Sequence, residues 1–249
     1  MADLSNITAA ILAGGFGTRL RSVVSDKSKV LAVVNGRPFI SYLLDDLALA
    51  GVKRVILCTG YRGEQVEAEL GAAYRGMELS YSRETSPLGT AGALRNAIPL
   101  LQDNRLIVMN GDSYFETDLP TFADLHGEKD ATCSMALVHV PDTTRYGRVE
   151  LDENLSVRHF IEKGEGRGPG TINAGIYLFE RHVIDRIPPH REVSLEREIL
   201  PALIGDKFFG FSSTGRFIDI GTPESYREAE QFFTGLRTRL SRFPAEERP

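Results

Sequence analysis

Short apolar runs alternate with amphipathic segments through the first half of the chain. The apolar runs predict buried strands at 7–12, 54–59, 78–82 and 105–109, and the segments between them predict helices at 39–50, 64–70 and 90–98. In the first of these helices Ile40, Leu43, Leu44 and Leu47 share one face, and Gly51 stands just past its end. This alternation favours right-handed crossovers and a mostly parallel sheet that is covered on both faces.

The second half has a different pattern, with strand-like runs that follow one another closely. They predict strands at 132–140, 147–151, 156–161, 172–179, 206–212 and 217–220. Short links favour antiparallel or mixed pairing among them. Helices are predicted over 194–203, with Ser194 as the N-cap, and over 222–233, with Pro223 at the first helical position and Glu224 in the first turn.

These elements predict an α/β fold, a Rossmann-like three-layer sandwich built on a mostly parallel, mixed sheet. The 249 residues suit a single domain over 1–235, followed by a polar tail at 236–249 that is expected to be frayed. A content of 42% hydrophobic and 25% charged residues is ordinary for a globular protein with a sizeable core.

Charge and apolar run lengths exclude several classes of protein. The formal net charge of -5 argues against a dedicated nucleic-acid binder, so any phosphate site must be a local cluster of cations. We expect no membrane association, because no apolar run approaches the ~18 residues of a membrane span and no leader segment is evident. Cys58 and Cys133 lie far apart in apolar runs, which predicts buried thiols and a cytoplasmic protein.

A glycine-rich loop follows the first predicted strand. Its glycines, Gly14, Gly15 and Gly17, leave backbone N–H groups accessible, and the cations Arg19 and Lys29 come next. N–H groups beside fixed positive charge form a phosphate-binding device, which favours an enzyme that handles a nucleotide. The spacing Gly-Gly-x-Gly-Thr-Arg fits neither the dinucleotide fingerprint nor the P-loop. An ordinary glycine turn is the alternative, and the Thr-Arg-Leu and Lys-x-Leu continuations weaken it.

Aspartates stand at two predicted strand ends. Asp112 follows Gly111 after the strand at 105–109, and Asp219 precedes Gly221 after the last strand. Ligands of open α/β sheets lie beyond the carboxyl ends of the strands, so Asp112 and the glycine loop should meet at one crevice. Carboxylates there are natural Mg²⁺ ligands beside phosphates. Taken singly, a turn aspartate and a helix-flanking aspartate are equally good interpretations.

Several short motifs occur in a fixed order along the chain. They are the loop at 12–20, Lys29-x-Leu31, Gly111-Asp112, Phe160-Ile161-Glu162-Lys163, Asn173-Ala174-Gly175 and Asp219-Ile220-Gly221-Thr222-Pro223. Their order resembles that of the sugar-1-phosphate nucleotidyltransferases over nearly the whole chain, from about residue 7 to residue 232. Within this family the chain is most similar to the heptose-1-phosphate guanylyltransferases, through the run at 21–26, the segment at 87–93 and Ser194-Leu195-Glu196.

The resemblance implies a role for each matched position. The implied nucleotide-binding residues are Leu12, Ala13, Gly14, Gly15, Gly17, Thr18, Arg19, Lys29, Glu84, Gly89, Thr90 and Asp112. The implied sugar-binding residues are Tyr146, Gly147, Glu162, Lys163, Asn173 and Gly175. Arg19, on the β- and γ-phosphates, Lys29, beside the α-phosphate, and Asp112 would be catalytic. Lys163 would meet the phosphate of the sugar 1-phosphate, and Asp112 and Asp219 would hold Mg²⁺.

The implied reaction transfers GMP from GTP to a sugar 1-phosphate, with D-glycero-D-manno-heptose 1-phosphate favoured, and releases pyrophosphate for bacterial surface polysaccharide synthesis. Residues 1–130 would form the nucleotide-binding half and 131–235 the sugar-binding half. The alternatives are a mannose-1-phosphate guanylyltransferase, a relative that uses dTTP or UTP, and a catalytically silent regulatory subunit. The oligomeric state is open and includes a homodimer.

One position departs from the family pattern. Ser28 stands where the family usually has proline before the loop lysine. Proline would stiffen the turn, so serine predicts a more mobile Lys29, and the neighbouring Lys27 competes for the lysine assignment.

Overall fold

The computed structural model describes residues 1–17, 19–20, 23–24, 26–161 and 168–234. Three residues of the sequence-based site, Thr18, Glu162 and Lys163, lie outside the described residues, as does the tail at 236–249.

Strands and helices alternate first and mix later, as the sequence predicted. The strands are β1 (Thr8–Ala13), β2 (Val33–Val34), β3 (Arg37–Pro38), β4 (Arg54–Thr59), β5 (Ala73–Tyr74), β6 (Met77–Arg83), β7 (Arg105–Asn110), β8 (Ser113–Phe115), β9 (Cys133–Val140), β10 (Arg148–Leu151), β11 (Val157–Ile161), β12 (Gly170–Glu180), β13 (Phe208–Ser213) and β14 (Phe217–Asp219). The helices are α1 (Ile40–Leu49), α2 (Gly63–Leu70), α3 (Gly89–Ala97), α4 (Leu119–Glu128), α5 (Arg181–Asp185), a π-helix (Leu195–Ile199) that continues into α6 (Leu200–Ala202), and α7 (Pro223–Thr234).

The described residues form one ten-stranded mixed sheet with a parallel core. Its main path runs β11-β10-β12-β7-β1-β4-β6-β5, while β9 pairs with β12 and β13. The strands β7, β1, β4 and β6 run parallel to one another, whereas β12 runs antiparallel to β7, β9 and β10, and β5 runs antiparallel to β6. The parallel first half and the mixed second half are both confirmed.

Both faces of the sheet are covered, which explains the continuous apolar runs of the central strands. On β1, Ile11 faces the core beneath α1, α4 and α7, while Ala10 faces the core beneath α3, α5 and the π-helix. The predicted face of α1, including Leu43 and Leu47, is fully buried against the first of these cores. The three-layer sandwich is therefore confirmed.

Several elements differ from the sequence-based prediction. Residues 113–131 carried no prediction, yet they contain β8 and α4, whose N-cap Asp118 accepts a hydrogen bond from the Thr121 N–H. The helix predicted at 194–203 is capped by Ser194 as expected but begins as a π-helix. Cys58 and Cys133 are buried free thiols. No helix among the described residues is long and apolar enough to cross a membrane.

Candidate active site

The glycine loop packs directly against Lys29. Gly17 has a φ of +57°, a conformation that L side chains rarely adopt, and a Cβ there would lie only 3.1 Å from the Cβ of Lys29. Glycine at this position therefore serves both the turn and the close approach of the lysine.

Lys29 reaches across the crevice to the end of β7. Its Nζ lies 2.6 Å from Oδ2 of Asp112, and the lysine side chain is only 13% exposed while the aspartate is 45% exposed. Gly111 allows this approach, because its N–H donates to the carbonyl of Leu12 (2.9 Å), and a Cβ at Gly111 would lie 2.6 Å from that oxygen. The two strand ends thus meet at one crevice, as the sequence predicted.

The turn before Lys29 is held by a side chain of α2. Ser28 is buried, and its N–H donates to Oε1 of Gln65 (3.0 Å). The amide nitrogen of Gln65 donates in turn to the carbonyl of Asp26 (3.1 Å). Proline at position 28 would remove the first of these bonds, so this chain fixes the turn by a different route from a proline.

Asp219 lies beside Asp112 because β14 pairs with β8. Asp219 is in register with Ser113, and the N–H of Ile220 donates to the carbonyl of Asp112 (2.9 Å). Arg145 donates through Nη2 to both carboxylate oxygens of Asp219, at 3.0 and 3.1 Å, and the hydroxyl of Tyr146 donates to Oδ2 at 2.5 Å. Burial, followed by the hydrogen bond to Asp219, raises the pKa of Tyr146 well above its ordinary value.

A pocket of about 680 Å³, the larger pocket, opens at the carboxyl ends of β1, β4 and β7. Among the predicted nucleotide-binding residues, its lining includes Leu12, Ala13, Gly14, Gly15, Lys29, Glu84, Gly89, Thr90 and Asp112. Four residues from the second half of the chain complete the lining: Glu192, Ser194, Glu196 and Arg197. Its volume suits a ligand of nucleotide size.

Glu84 and Thr90 both line this pocket, and each makes side-chain hydrogen bonds. Oε2 of Glu84 accepts a hydrogen bond from the N–H of Leu88 (2.8 Å), and burial raises the pKa of the Glu84 carboxyl. The N–H of Leu195 donates to the hydroxyl of Thr90 (2.7 Å), which donates to Oε2 of Glu196 (2.9 Å). The segment after Glu84 is thereby joined to the π-helix.

A second, smaller pocket of about 100 Å³ adjoins the larger one. Its lining includes the predicted sugar-site residues Tyr146, Gly147, Asn173 and Gly175, together with Asp219. Asn110, Asp112 and Glu196 line both pockets. Two ligands, one bound in each pocket, would therefore meet beside the Lys29–Asp112 pair.

Two predicted nucleotide-binding residues lie apart from the larger pocket. Gly17 lines a separate shallow depression together with Leu20 and Lys27. Arg19 is exposed and lines the smaller pocket.

Three residues of the two pockets were not among the predicted site residues. Asn110 lines both pockets, and among the described residues its buried Oδ1 has no hydrogen-bond partner, so it offers an acceptor to a ligand. Glu196 lies on a π-helix, a feature frequent at functional sites and a signal that only the structure supplies. Arg145 precedes Tyr146 in sequence and could have been found from that adjacency.

The two aspartates fit a hard divalent cation. Mg²⁺ takes one or two carboxylates and completes its shell with water and substrate phosphates. Asp112 and Asp219 both line the smaller pocket, Asp112 lines the larger one as well, and their strand ends are joined by the hydrogen bond from Ile220 to Asp112. Among the described residues no group of three or more His, Cys, Asp or Glu side chains is arranged to hold a metal, so an all-protein cage is not the type of site that these residues form. Phosphate oxygens of a substrate would have to supply further ligands.

Comparison with known proteins agrees with this geometry. The nucleotidyl transferase family profile matches residues 8–235. A mannose-1-phosphate guanylyltransferase of Mycobacterium tuberculosis is 41% identical over 88% of the chain, which spans 62% of that relative. A D-glycero-alpha-D-manno-heptose 1-phosphate guanylyltransferase of Aneurinibacillus thermoaerophilus is 37% identical over 90% of the chain and 96% of its own length.

A solved structure shows the same fold. The crystal structure of HddC from Yersinia pseudotuberculosis, in complex with GMP-PN, superposes with a TM-score of 0.80. The two are 34% identical, with 91% of this chain and 99% of HddC covered. The resemblance noted from the sequence is thereby confirmed: the chain belongs to the nucleotidyl transferase family and groups within it with the sugar-1-phosphate guanylyltransferases.

Proposed function

We propose that the chain transfers GMP from GTP to a sugar 1-phosphate and releases pyrophosphate. The observation that carries this proposal is that the larger and smaller pockets share Asp112, which is paired with Lys29. A nucleotide in one pocket and a sugar phosphate in the other would bring their phosphates together at this pair.

The chemistry follows from charge. A phosphate monoester has its second pKa near about 6, so the sugar phosphate oxygen is already a nucleophile at neutral pH. It attacks the α-phosphorus in line, the new P–O bond forms, and the bond to the β-phosphate oxygen breaks as pyrophosphate leaves with its electrons. Repulsion between two polyanions is the obstacle, so Lys29, with Arg19 at the mouth of the smaller pocket, stabilises the charge. Mg²⁺ held by Asp112 and Asp219 would supply further charge neutralisation at the phosphates.

Glu84 supports guanine as the base. One of its oxygens accepts the Leu88 N–H, and the other lies close to Gly14 at the wall of the larger pocket. A carboxylate is an acceptor, and guanine differs from the other bases in offering its N2 amino group as a donor beside N1–H. Uracil and thymine present carbonyl oxygens that flank their single N–H donor.

D-glycero-D-manno-heptose 1-phosphate is the favoured acceptor, and mannose 1-phosphate is the second candidate. The near-complete length match to the Aneurinibacillus relative supports heptose, and the higher identity to the mycobacterial relative supports mannose. In both cases we assign the sugar to Tyr146, Gly147, Asn173 and Gly175, with Glu162 and Lys163 completing the site. The nucleotide-binding half at 1–130 and the sugar-binding half at 131–235 belong to the same proposal, with Glu196 as a contribution of the second half to the larger pocket.

The cellular setting is part of the proposal as well. We place the reaction in the cytoplasm and in the supply of activated sugars for bacterial surface polysaccharide. The oligomeric state stays open and includes a homodimer, which size-exclusion chromatography with light scattering would test.

A pyrophosphate-release assay tests the activity. GTP, ATP, CTP, UTP and dTTP are each paired with the 1-phosphates of mannose, heptose and glucose, with Mg²⁺ present or chelated. We expect turnover with GTP and a manno-configured sugar, lost on chelation. No turnover with any pair would favour the silent regulatory subunit, and preference for UTP or dTTP would overturn guanine selection.

Two substitutions test the metal assignment in the same assay. Asp112→Asn and Asp219→Asn keep the side-chain shape but remove the charge, so each is expected to abolish the Mg²⁺-dependent rate. Asp118→Asn, at the N-cap of α4 and outside both pockets, is the matched control and should keep the wild-type rate. Full turnover in both Asp112→Asn and Asp219→Asn would contradict the metal site.

A further inference from the structure

Each carboxylate assigned to the metal is paired with a cationic side chain of this protein. Lys29 pairs with Asp112, and Nη2 of Arg145 donates to both oxygens of Asp219. The Arg145 side chain is 43% exposed whereas the Asp219 side chain is 16% exposed. The arginine is therefore the more solvent-accessible partner of this pair.

Arg145 also lines the smaller pocket. Among the described residues of that lining, Arg145 and Arg19 are the arginines, and no lysine is present. A sugar 1-phosphate brings a dianionic phosphate into this pocket, and arginine is well suited to phosphate because its planar fork presents several donors. In the structure one of these donors, Nη2, is bound to Asp219.

Tyr146 holds the same carboxylate but is anchored differently. Its hydroxyl donates to Oδ2 of Asp219, and its ring packs edge-on against Phe217, with centroids 5.5 Å apart. Phe217 precedes Asp219 on β14, so the tyrosine is tied to the strand that carries the carboxylate. Asp219 keeps two hydrogen-bond donors when the arginine leaves, the Tyr146 hydroxyl and the Gly221 N–H, which lies 2.8 Å from Oδ1.

We propose that Arg145 is a substrate-binding residue that pairs with Asp219 in the absence of metal and passes to the phosphate of the sugar 1-phosphate when a divalent cation takes that carboxylate. The inference rests on the proposed function. It follows from charge balance, because a guanidinium and a divalent cation compete for one carboxylate. A guanidinium displaced from Asp219 would remain in the smaller pocket, where the sugar phosphate is proposed to bind. Metal binding would thereby prepare the smaller pocket for its anionic ligand.

Binding of Mn²⁺ to the full chain without substrates tests the first half of this exchange. Free Mn²⁺ is measured by electron paramagnetic resonance. Arg145→Gln removes the competing charge, so we expect binding about three- to fivefold tighter than in the wild type, the range open to a half-exposed ion pair. Arg145→Lys keeps the charge and should bind Mn²⁺ as the wild type does. Tyr146→Phe removes a donor that stays in place, so its affinity should fall.

The sign of the change separates exchange from a purely structural role. If Arg145 only holds Asp219 in shape, Arg145→Gln weakens Mn²⁺ binding, and that result, or an unchanged affinity, overturns the proposal. Arg158→Gln is the matched control, since Arg158 pairs with Asp152 outside both pockets. Thermal unfolding of each variant confirms that it is folded, and Arg145→Met, which also removes the charge, serves if Arg145→Gln does not fold.

Kinetics test the second half. Arg145→Gln should raise KM for the sugar 1-phosphate about tenfold or more, the scale of one charge-assisted hydrogen bond, and leave KM for GTP unchanged. An unchanged KM for the sugar 1-phosphate overturns the transfer to phosphate. Absence of turnover in the wild type would instead contradict the proposed function, while the Mn²⁺ measurement would still decide the competition at Asp219.

Discussion

The ammonium of Lys29 lies 2.6 Å from the carboxylate of Asp112, although the two residues are 83 positions apart. This pair joins the glycine loop after β1 to the end of β7, at the boundary between the larger and smaller pockets. The two opposite charges are thus paired in the structure, at the place where the proposed nucleotide and sugar phosphate would meet.

Lys29→Met should lower kcat by about 10²–10³, as expected for loss of one group that stabilises transition-state charge. The measurement is pyrophosphate release at saturating GTP and sugar 1-phosphate. Lys27→Met is the matched control, because Lys27 is exposed and lies outside both pockets. A larger loss in Lys27→Met than in Lys29→Met would reassign the loop lysine.

Glu84→Gln should change the pH dependence of stability. Burial raises the pKa of Glu84 from its ordinary value of 4.5, so the folded state binds this proton more tightly than the unfolded state does. The contribution of Glu84 is therefore most favourable below the ordinary value and declines as the pH rises through the raised pKa. The test is urea unfolding of both proteins from pH 4.5 upward through the raised pKa. The free energy of unfolding of the wild type should fall relative to that of Glu84→Gln as the pH rises, and above the raised pKa the difference should stay constant. A gap that is constant throughout would contradict the shift.

The same substitution should weaken base selection. Glutamine can still accept the Leu88 N–H, but its amide adds a donor where guanine also presents donors. We expect the preference for GTP over UTP, measured as the ratio of kcat/KM, to fall by about tenfold or more. An unchanged ratio would show that Glu84 supports the loop and does not read the base.

A double-mutant cycle should reveal how the turn before Lys29 is fixed. Gln65→Ala removes the acceptor for the Ser28 N–H and should cost about 0.5–1.5 kcal/mol in free energy of unfolding. Ser28 has a φ of -58°, which proline can adopt. In a Ser28→Pro background that N–H is already absent, so Gln65→Ala should cost less. Strictly additive effects would mean that the two residues do not act together.

Asp45→Asn should destabilise the fold and spare the catalytic rate of the folded protein. Asp45 is buried on α1 and accepts hydrogen bonds from Arg37 (2.6 Å), Arg75 (2.6 Å) and Tyr74 (2.9 Å), outside both pockets. Removing one partner from a buried ionic network costs about 3–5 kcal/mol. Asp130→Asn, which breaks the exposed pair with Lys207, is the comparison and should change the unfolding midpoint little. Equal midpoints for the two variants would contradict a stabilising role for Asp45.

Local patterns predicted most of the regular structure. The apolar face of α1 and the apolar runs of β1, β4 and β7 identify these elements because helix period and two-sided burial leave a direct trace in the sequence. The same signal existed for α4, where Asp118 is followed by Pro120, and buried Phe122 and His126 lie on one face, so that helix was open to prediction.

The π-helix could not be predicted from local sequence patterns. Its first N–H, that of Leu195, donates to the Thr90 hydroxyl on α3, a contact 105 residues distant in sequence. Pro201 also lacks the N–H that would continue a regular ladder. A widened turn that depends on a distant partner has no local sequence period, so the sequence favoured an ordinary helix.

The sequence by itself determined the strand-end chemistry: glycines after β1, a lysine, and aspartates after β7 and on β14, in an order that identified the family. Tertiary structure decided how these groups are paired, above all that Arg145 lies on Asp219 and Glu196 lies between the two pockets. The physical reason is distance along the chain. The residue types can be read from short segments of the sequence. The contacts depend on the pairing of β14 with β8 and on the packing of the π-helix against α3, and both of these depend on the whole fold.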